Sequence, residues 1–554
     1  MSVSLGRTSG TAPVQFSAHQ ALCGAGVLFL LPSLLAQGLL KTKEVYQWAE
    51  KAYYSLESVV LTLAIMALAR IKTPEQLKQC KPGEIGRIIG LDRIPEVRCV
   101  RDKIRFLSDQ HKTLELNKKL LDQWVQPDDS VILCVDGHQR IYYGHKANLP
   151  VKYISRQRLC LNATTEYWVT DLKGSPVLVT LGELSEKLQT AIEDDIIPVL
   201  KETQAYKQQA SKGDDAPWCT LVFDREAYQP AFFKRLWDNH RIAVITYRKN
   251  VKDKWDEKCF EKATVCVIEQ DIDMLIHEQK VELKGVTFRE VRRLGSGGHQ
   301  TSVITNNELI TTAQIAGYMF SRWSEENFFR YMRLDYDFDK MLQFGTEPVS
   351  ETRKIVNPQY RQLNYQLKKH REKTARLEAK LYPVIEEMVN APVDEVVTLT
   401  HKQQDLTERI TAMKEQEAVL KQQRKNAPTH ITVKEMPQDE RFNKLKTESK
   451  LLLNIIKMIA YRAETAVASL LQPHLKTADK EKRMLVKQII QSPADMIPDE
   501  QNNTLTICLH TLSTPRHNKA VQELAKILTE TETVFPGTDT KLIFKTTAPV
   551  NYEE

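Results

Sequence analysis

Two short apolar runs each lead directly into an aspartate, and this pattern narrows the fold more than any other feature of the chain. Val131-Ile-Leu-Cys-Val135 runs into Asp136-Gly137, and Cys219-Thr-Leu-Val-Phe223 runs into Asp224-Arg225-Glu226. Runs of this length without alternation read as strands covered on both faces of a sheet. A carboxylate at the end of such a strand is costly unless a cation compensates it. In open α/β sheets ligands bind outside strand ends. Asp136 and Asp224 are therefore expected to meet at one end of a central sheet. A third acid, Glu326, lies in Ser321-Arg322-Trp-Ser-Glu-Glu326-Asn-Phe-Phe-Arg330. Residues 315, 318, 319, 322, 326, 329 and 333 recur at spacings of three and four there. One helix face then joins apolar groups to Arg322, Glu326 and Arg333. Three carboxylates brought together suit a hard divalent cation such as Mg²⁺.

The neighbouring segments supply the rest of such a sheet. Arg140 to Gly144 reads as a hairpin return, Thr165 to Asp171 as an alternating strand, and Pro176 to Leu181 as another. A helix is expected over roughly 184–208, a short one over 232–239, and a strand over 242–246. Strands followed by alternating helix and strand predict a mixed α/β domain over 126–345. Strand-like pieces between 251 and 305 predict a β-rich insertion. Gly295-Ser-Gly-Gly298 lacks the lysine and strand-to-helix setting of a phosphate loop, so it is read as a hairpin turn.

The first 125 residues are expected to be helical. Residues 21–40 carry no charge, which is long enough to span a bilayer. Pro32-Ser33 splits them into two runs, so a buried helical hairpin is expected and no membrane association. Between 73 and 108, three proline-started helices predict a helix-turn-helix, with Arg98, Arg101, Lys103 and Arg105 facing DNA from the third. The net charge of +7 permits a polyanionic partner without requiring one. The nine cysteines include no Cys-x-x-Cys pair, which fits a reduced, cytoplasmic protein rather than a zinc site or disulfide frame. Residues 346–430 are charged and glutamine-rich, with leucines at helical spacing. They predict an antiparallel coiled-coil hairpin of two long helices linked through Pro383 to Pro392. Residues 431–554 are expected to form a helical and small α+β region.

In order and context these segments resemble the bacterial insertion-sequence transposases with a DDE triad on an RNase H-like core. In the relevant subgroup the last acid belongs to a Tyr-x2-Arg-x3-Glu-x6-Lys signature. This chain reads Met319, Arg322, Glu326 and Arg333 in that register, so the Arg and Glu match while Met and Arg replace Tyr and Lys. Asp136-Gly137 resembles the first acid of the family and Asp224-Arg225-Glu226 the second. The resemblance implies Asp136, Asp224 and Glu326 as catalytic ligands of two Mg²⁺ (or Mn²⁺) ions, and the 251–305 segment as the subgroup's insertion. It also implies Arg322 and Arg333 as phosphate contacts. The expected partner is double-stranded DNA, at element ends and target, bound by at least a dimer in a bacterial cytoplasm. Glu326 has Glu325 as its nearest rival, Glu226 is expected in a supporting role, and His138 is a candidate for substrate contact. A catalytically silent DNA-binding relative and another RNase H-like endonuclease remain open alternatives.

Overall fold

In the computed structural model the apolar run at 131 does not stop at Asp136. The strand continues from Val131 to Ile141, because a long antiparallel partner, Leu159–Asp171, pairs with it as far as Ile141 opposite Ala163. Arg140 to Gly144 is thus no hairpin return, and Asp136 lies within a strand rather than at its end. A Cβ on Gly137 would come within 3.2 Å of the Tyr167 ring on the partner strand, closer than an ordinary contact. The structure describes residues 11–547 apart from 50–51, 127–130, 146, 148, 150, 183–186, 211–215, 269, 340–344, 349–350, 352–353, 437, 439–440, 442 and 476–478.

The chain forms two compact units. One comprises residues 1–142, 163–344 and 446–554, the other 143–162 and 345–445. The first is built on a mixed sheet. Its five core strands are, in chain order, Val131–Ile141, Leu159–Asp171, Pro176–Gly182, Cys219–Phe223 and Ile242–Tyr247. Across the sheet they run third, second, first, fourth, fifth. The first three pair antiparallel, and the first, fourth and fifth pair parallel. Next to the fifth strand come four antiparallel strands, in spatial order Gln300–Thr305, Val286–Leu294, Gln270–Leu283 and Glu261–Val267. Gly295 and Gly298 turn the chain between Leu294 and Gln300, as expected.

Alternation sorts the core side chains into two layers. Val131, Leu133, Val135, Leu221, Phe223, Ile242 and Val244 meet Leu188, Ile192, Ile196, Phe232 and Phe233 on one face. Ile132, Cys134, Val222 and Ile245 meet Ile315, Ala316 and Met319 on the other. Each fully buried side chain of this size contributes about 1.5–3 kcal/mol. The helix expected over 184–208 is not uniform: Ala191–Ile196 is a wider π turn followed by Ile197–Lys201, and a second piece spans Gln204–Ala210. Pro198 has no N–H to close an α-helical bond there.

The helix expected to carry Arg322 and Glu326 is also two helices, Thr312–Ser321 and Trp323–Leu334. Thr311 and Gln314 form a capping box at the start of the first. Two serines tie the junction to different neighbours: Ser321 Oγ accepts from Ile268 N (3.1 Å), and Ser324 Oγ donates to Leu172 O (3.2 Å). Arg322 is the hinge residue between the helices.

At the N-terminus, the apolar segment folds into short helical turns, Ala25–Leu30, Leu31–Ala36, Leu39–Lys41 and Thr42–Val45. Leu28, Phe29, Leu30 and Leu34 are fully buried in the largest core cluster. A Cβ on Gly26 would meet Ile489 O at 1.9 Å, so the backbones touch there. Among the described residues no single helix is long and apolar enough to cross a membrane; the pair Ala25–Ala36 and Leu39–Val45, bent by 60°, has the length and composition together. The segment 73–108 forms Pro74–Gln79, a 3₁₀ turn, then Pro82–Ile88 and Val97–Ser108.

In the second unit, helices Pro358–Asn390 and Val393–Asn426 pack side by side, joined by Ala391-Pro392 alone. Pro383 lies inside the first helix rather than in the link. Leu363, Leu367, Leu406 and Ile410 are buried. Arg371 pairs with Glu417 at 2.9 Å and Lys414 with Glu378 at 2.9 Å across the two.

Candidate active site: acids in one row of the sheet

The parallel register determines what meets Asp136. Cys134 lies opposite Val222, and Phe223 opposite Thr246. Continuing each strand to the next residue with the same orientation aligns Asp136, Asp224 and Tyr247 in one row, with about 4.8 Å between neighbouring strands. Asp224 keeps an extended backbone (φ −75°, ψ 176°), so it prolongs the fourth strand in this sense. All three belong to the face carrying Cys134, Val222 and Ile245. That is the face on which Thr312–Ser321 packs, just ahead of Arg322.

Electrostatics tie the same residues together. Burial pushes the Asp136 carboxyl up to about 6, against Arg322 and the Gly137 N–H, which favour the charged form; Glu226 and Asp224 repel it and push it further up. The Gly137 N–H lies 2.8 Å from Asp136 Oδ1. Burial likewise raises the Tyr247 phenol. Arg322 and Arg225 lower it, while Asp224 and Glu326 raise it. Asp224 Oδ1 accepts from Arg225 N at 2.6 Å, and the Arg225 guanidinium lies over the Tyr247 ring at 5.6 Å. Arg322 is thus the main cation acting on Asp136 and on the Tyr247 phenol, and its Nη2 also lies 3.5 Å from Glu326 Oε1.

Glu326 is 58% exposed and paired with Arg322. Among the described residues no three His, Cys, Asp or Glu are arranged as a group able to hold a metal ion. Asp136, Asp224 and Glu226 supply only carboxylate oxygens, the ligand type hard divalent cations take. Arg333 lies in the last turn of Trp323–Leu334, about 10 Å along the axis from Glu326, and is half-buried. The charge acting most strongly on Asp136 is that of Arg322.

His138 follows two residues along the same face. It is 7% exposed, held by Asp339 at 2.5 Å, and packed against Phe329 and Phe338 with ring centroids at 5.4 and 4.4 Å. These contacts make it part of a packed wall. Opposite it in register stands Glu166, fully buried, with Arg140 at 3.2 Å, Lys450 at 3.8 Å and Asn454 Nδ2 at 3.3 Å. Lys450 also donates to Phe338 O. Both Lys450 and Asn454 come from the Glu448–Leu470 helix.

On Val97–Ser108, Val100, Ile104 and Leu107 face inward, leaving Arg98, Arg101 and Arg105 exposed on the opposite side. Arg101 pairs with Glu75, Arg105 lies 3.4 Å from Asp102, and Lys103 sits over the Trp48 ring at 4.9 Å. Sequence reading missed Tyr247, the approach of Glu226 to Asp136, and the Glu166 cluster. The Asp-Arg-Glu triplet was the available signal for Glu226. Tyr247 needed the register, and Glu166 needed a partner 284 residues away.

A mixed sheet with acids gathered where its parallel strands run out defines an α/β protein with a polar, carboxylate-rich site. A family model described as "Transposase protein" matches residues 2–548, and the chain belongs to that family. Membership implies a DNA-cleaving and strand-transferring enzyme that binds DNA. No curated protein and no solved structure matches.

Proposed function

We propose that the chain is a DDE-type DNA transposase that binds the ends of an insertion sequence, cuts a DNA strand and joins the freed 3′-hydroxyl to target DNA. The observation that carries this reading is the row of Asp136 and Asp224 on adjacent parallel strands, with Arg322 beside them. The strand order third-second-first-fourth-fifth, with the antiparallel pairs on one side and the parallel ones on the other, supports an RNase H-like core. The four antiparallel strands between Tyr247 and Thr312 stand where the subgroup's insertion is expected.

Asp136 and Asp224 would hold the metal ions, and Glu326 is the third carboxylate. Two Mg²⁺ or Mn²⁺ ions, when bound, supply an acidified water and a clamp for attacking and leaving oxygens. The protein's own part is to present deprotonated carboxylates from rigid strands and to keep Asp136 in a desolvated setting. Arg322 donates to the scissile phosphate from the hinge between two helices, where small rotations redirect its guanidinium among Asp136, Glu326 and substrate. The half-buried Tyr247 closes the row. Arg333 is proposed as a second phosphate contact. Arg98, Arg101, Lys103 and Arg105 are proposed to contact the duplex from their helix. Joining two element ends calls for at least two copies of the chain, and the paired helices 358–426 are proposed as a coiled coil.

The test is strand cleavage of a plasmid carrying the element ends. Nicks with 3′-hydroxyl termini should appear with Mg²⁺ or Mn²⁺ and vanish with EDTA. Cleavage that persists in EDTA would contradict the reading.

A further inference from the structure

A long stretch of one-signed charge that follows Asp136 in the sequence has no role in the mechanism above. From Gly137 to Thr165 the sequence contains Arg140, Lys146, Lys152, Arg156 and Arg158 and no Asp or Glu. Arg140 is used by Glu166. Lys152, Arg156 and Arg158 belong to a β-hairpin, Val151–Ile154 against Leu159–Asn162, in the second unit.

The hairpin also leaves large apolar side chains in water. Tyr143 is 74% exposed, Tyr153 58%, Val151 54% and Leu159 54%. Val151 and Tyr153 alternate with Lys152 and Ile154, so they share one side of the strand. Ile154, at 1% exposed, anchors the other side. The turn is stiffened where it narrows: Arg158 adopts a left-handed conformation (φ 55°), and Gln157 Nε2 donates to the Tyr143 hydroxyl at 3.4 Å. Arg156 and Arg158 are both exposed beside it.

Exposed aromatics interleaved with cations, on a stretch of sequence that contains no Asp or Glu, fit one ligand chemistry. The cations match a phosphodiester backbone, and the flat rings match bases that have left the duplex stack. A closed duplex offers the rings no base face, and an acidic peptide has no use for two exposed tyrosines. We propose that this hairpin binds DNA at an opened end, with Tyr143 and Tyr153 stacking on unpaired bases and Arg156 and Arg158 on the flanking phosphates. The proposal rests on the transposase reading for its ligand but not on the metal chemistry.

The experiment uses the full-length protein in EDTA, so that no strand is cut. Two fluorescein-labelled oligonucleotide duplexes of equal length serve as probes, one blunt and one with five unpaired bases per strand at one end. The wild type should favour the open-ended probe by about ten-fold or more. Tyr143→Ala with Tyr153→Ala should abolish that preference and leave blunt-duplex affinity within about two-fold. Tyr143→Phe with Tyr153→Phe should retain it, which separates stacking from misfolding. Arg156→Ala and Arg158→Ala should each lower affinity for both probes and flatten the salt dependence by about one charge. No preference in the wild type, or a preference that survives the double alanine variant, would overturn the proposal. The metal-site reading is read separately, by cleavage in Mg²⁺. A wild type that cleaves but shows no preference sinks the hairpin alone. A preference with metal-independent cleavage sinks the metal-site reading alone.

Discussion

Asp136, half-buried, and Glu166, fully buried, are acids on adjacent strands of one sheet, two residue pairs apart, yet their surroundings treat them in opposite ways. Burial raises both. At Glu166, Lys450, Arg140 and His138 outweigh it, and the carboxyl is held below its ordinary value. At Asp136, Arg322 stands against burial and against the neighbouring Glu226 and Asp224, and the carboxyl is pushed up to about 6. One acid has its cations built in. The other has Arg322 as its main opposing charge, and that does not offset its burial. Burial alone distinguishes neither; the count of compensating charges does.

The comparison breaks most sharply at the acids themselves. Asp136→Asn and Asp224→Asn should each lower DNA strand cleavage by on the order of 10³-fold or more, with the melting temperature unchanged or raised. Glu326→Gln should join them, and Glu325→Gln should not; the reverse result would move the third ligand by one residue. On the other side, Lys450→Met leaves Glu166 buried without its main cation. It should cost about 3–5 kcal/mol in chemical denaturation. A loss below about 1 kcal/mol would remove the contrast.

The two acids also give opposite pH slopes. Asp136 has a folded value above its unfolded one, so its contribution to stability is complete below about pH 4 and disappears as pH rises through about 6. In the metal-free protein this amounts to at most about 3 kcal/mol, and Asp136→Asn should erase it. Glu166, held below its ordinary value, contributes above that value and loses its contribution as pH falls. Denaturation midpoints between pH 4 and 7, wild type against Asp136→Asn, read the first slope directly. A smaller effect is expected at Arg322→Lys, which keeps a charge but not the fork. Cleavage should fall about ten-fold, with its onset shifted to higher pH. The smallest lies at the exposed arginines: Arg98→Ala and Arg105→Ala should each weaken DNA binding a few-fold and reduce its salt dependence by about one charge.

Much of the sheet was legible because its core strands are dense local signals. The runs at 131, 176, 219 and 242 each fill with apolar residues at strand length, and the insertion strands end in turn residues. What local pattern could not carry was pairing. Nothing in Val131 to Gly144 says that the strand runs on to Ile141; Leu159–Asp171 imposes that from the far side of a hairpin. The helix at 312–334 has an unbroken amphipathic pattern, and it is interrupted at Arg322 by serine tethers to Ile268 and Leu172. Asp136 and Asp224 were visible as acids ending apolar runs. Tyr247 and Glu166 take their places only from the strand register, which puts one beside Asp224 and the other opposite His138.

The under-compensated row at Asp136 is the proposed place of DNA cleavage. Purified wild-type protein and Asp136→Asn, each incubated with Mg²⁺ and DNA bearing the element's terminal repeats, test it directly. Cleavage by the wild type and none by a folded Asp136→Asn is the predicted result. Equal cleavage by the two, or none by either, would contradict it.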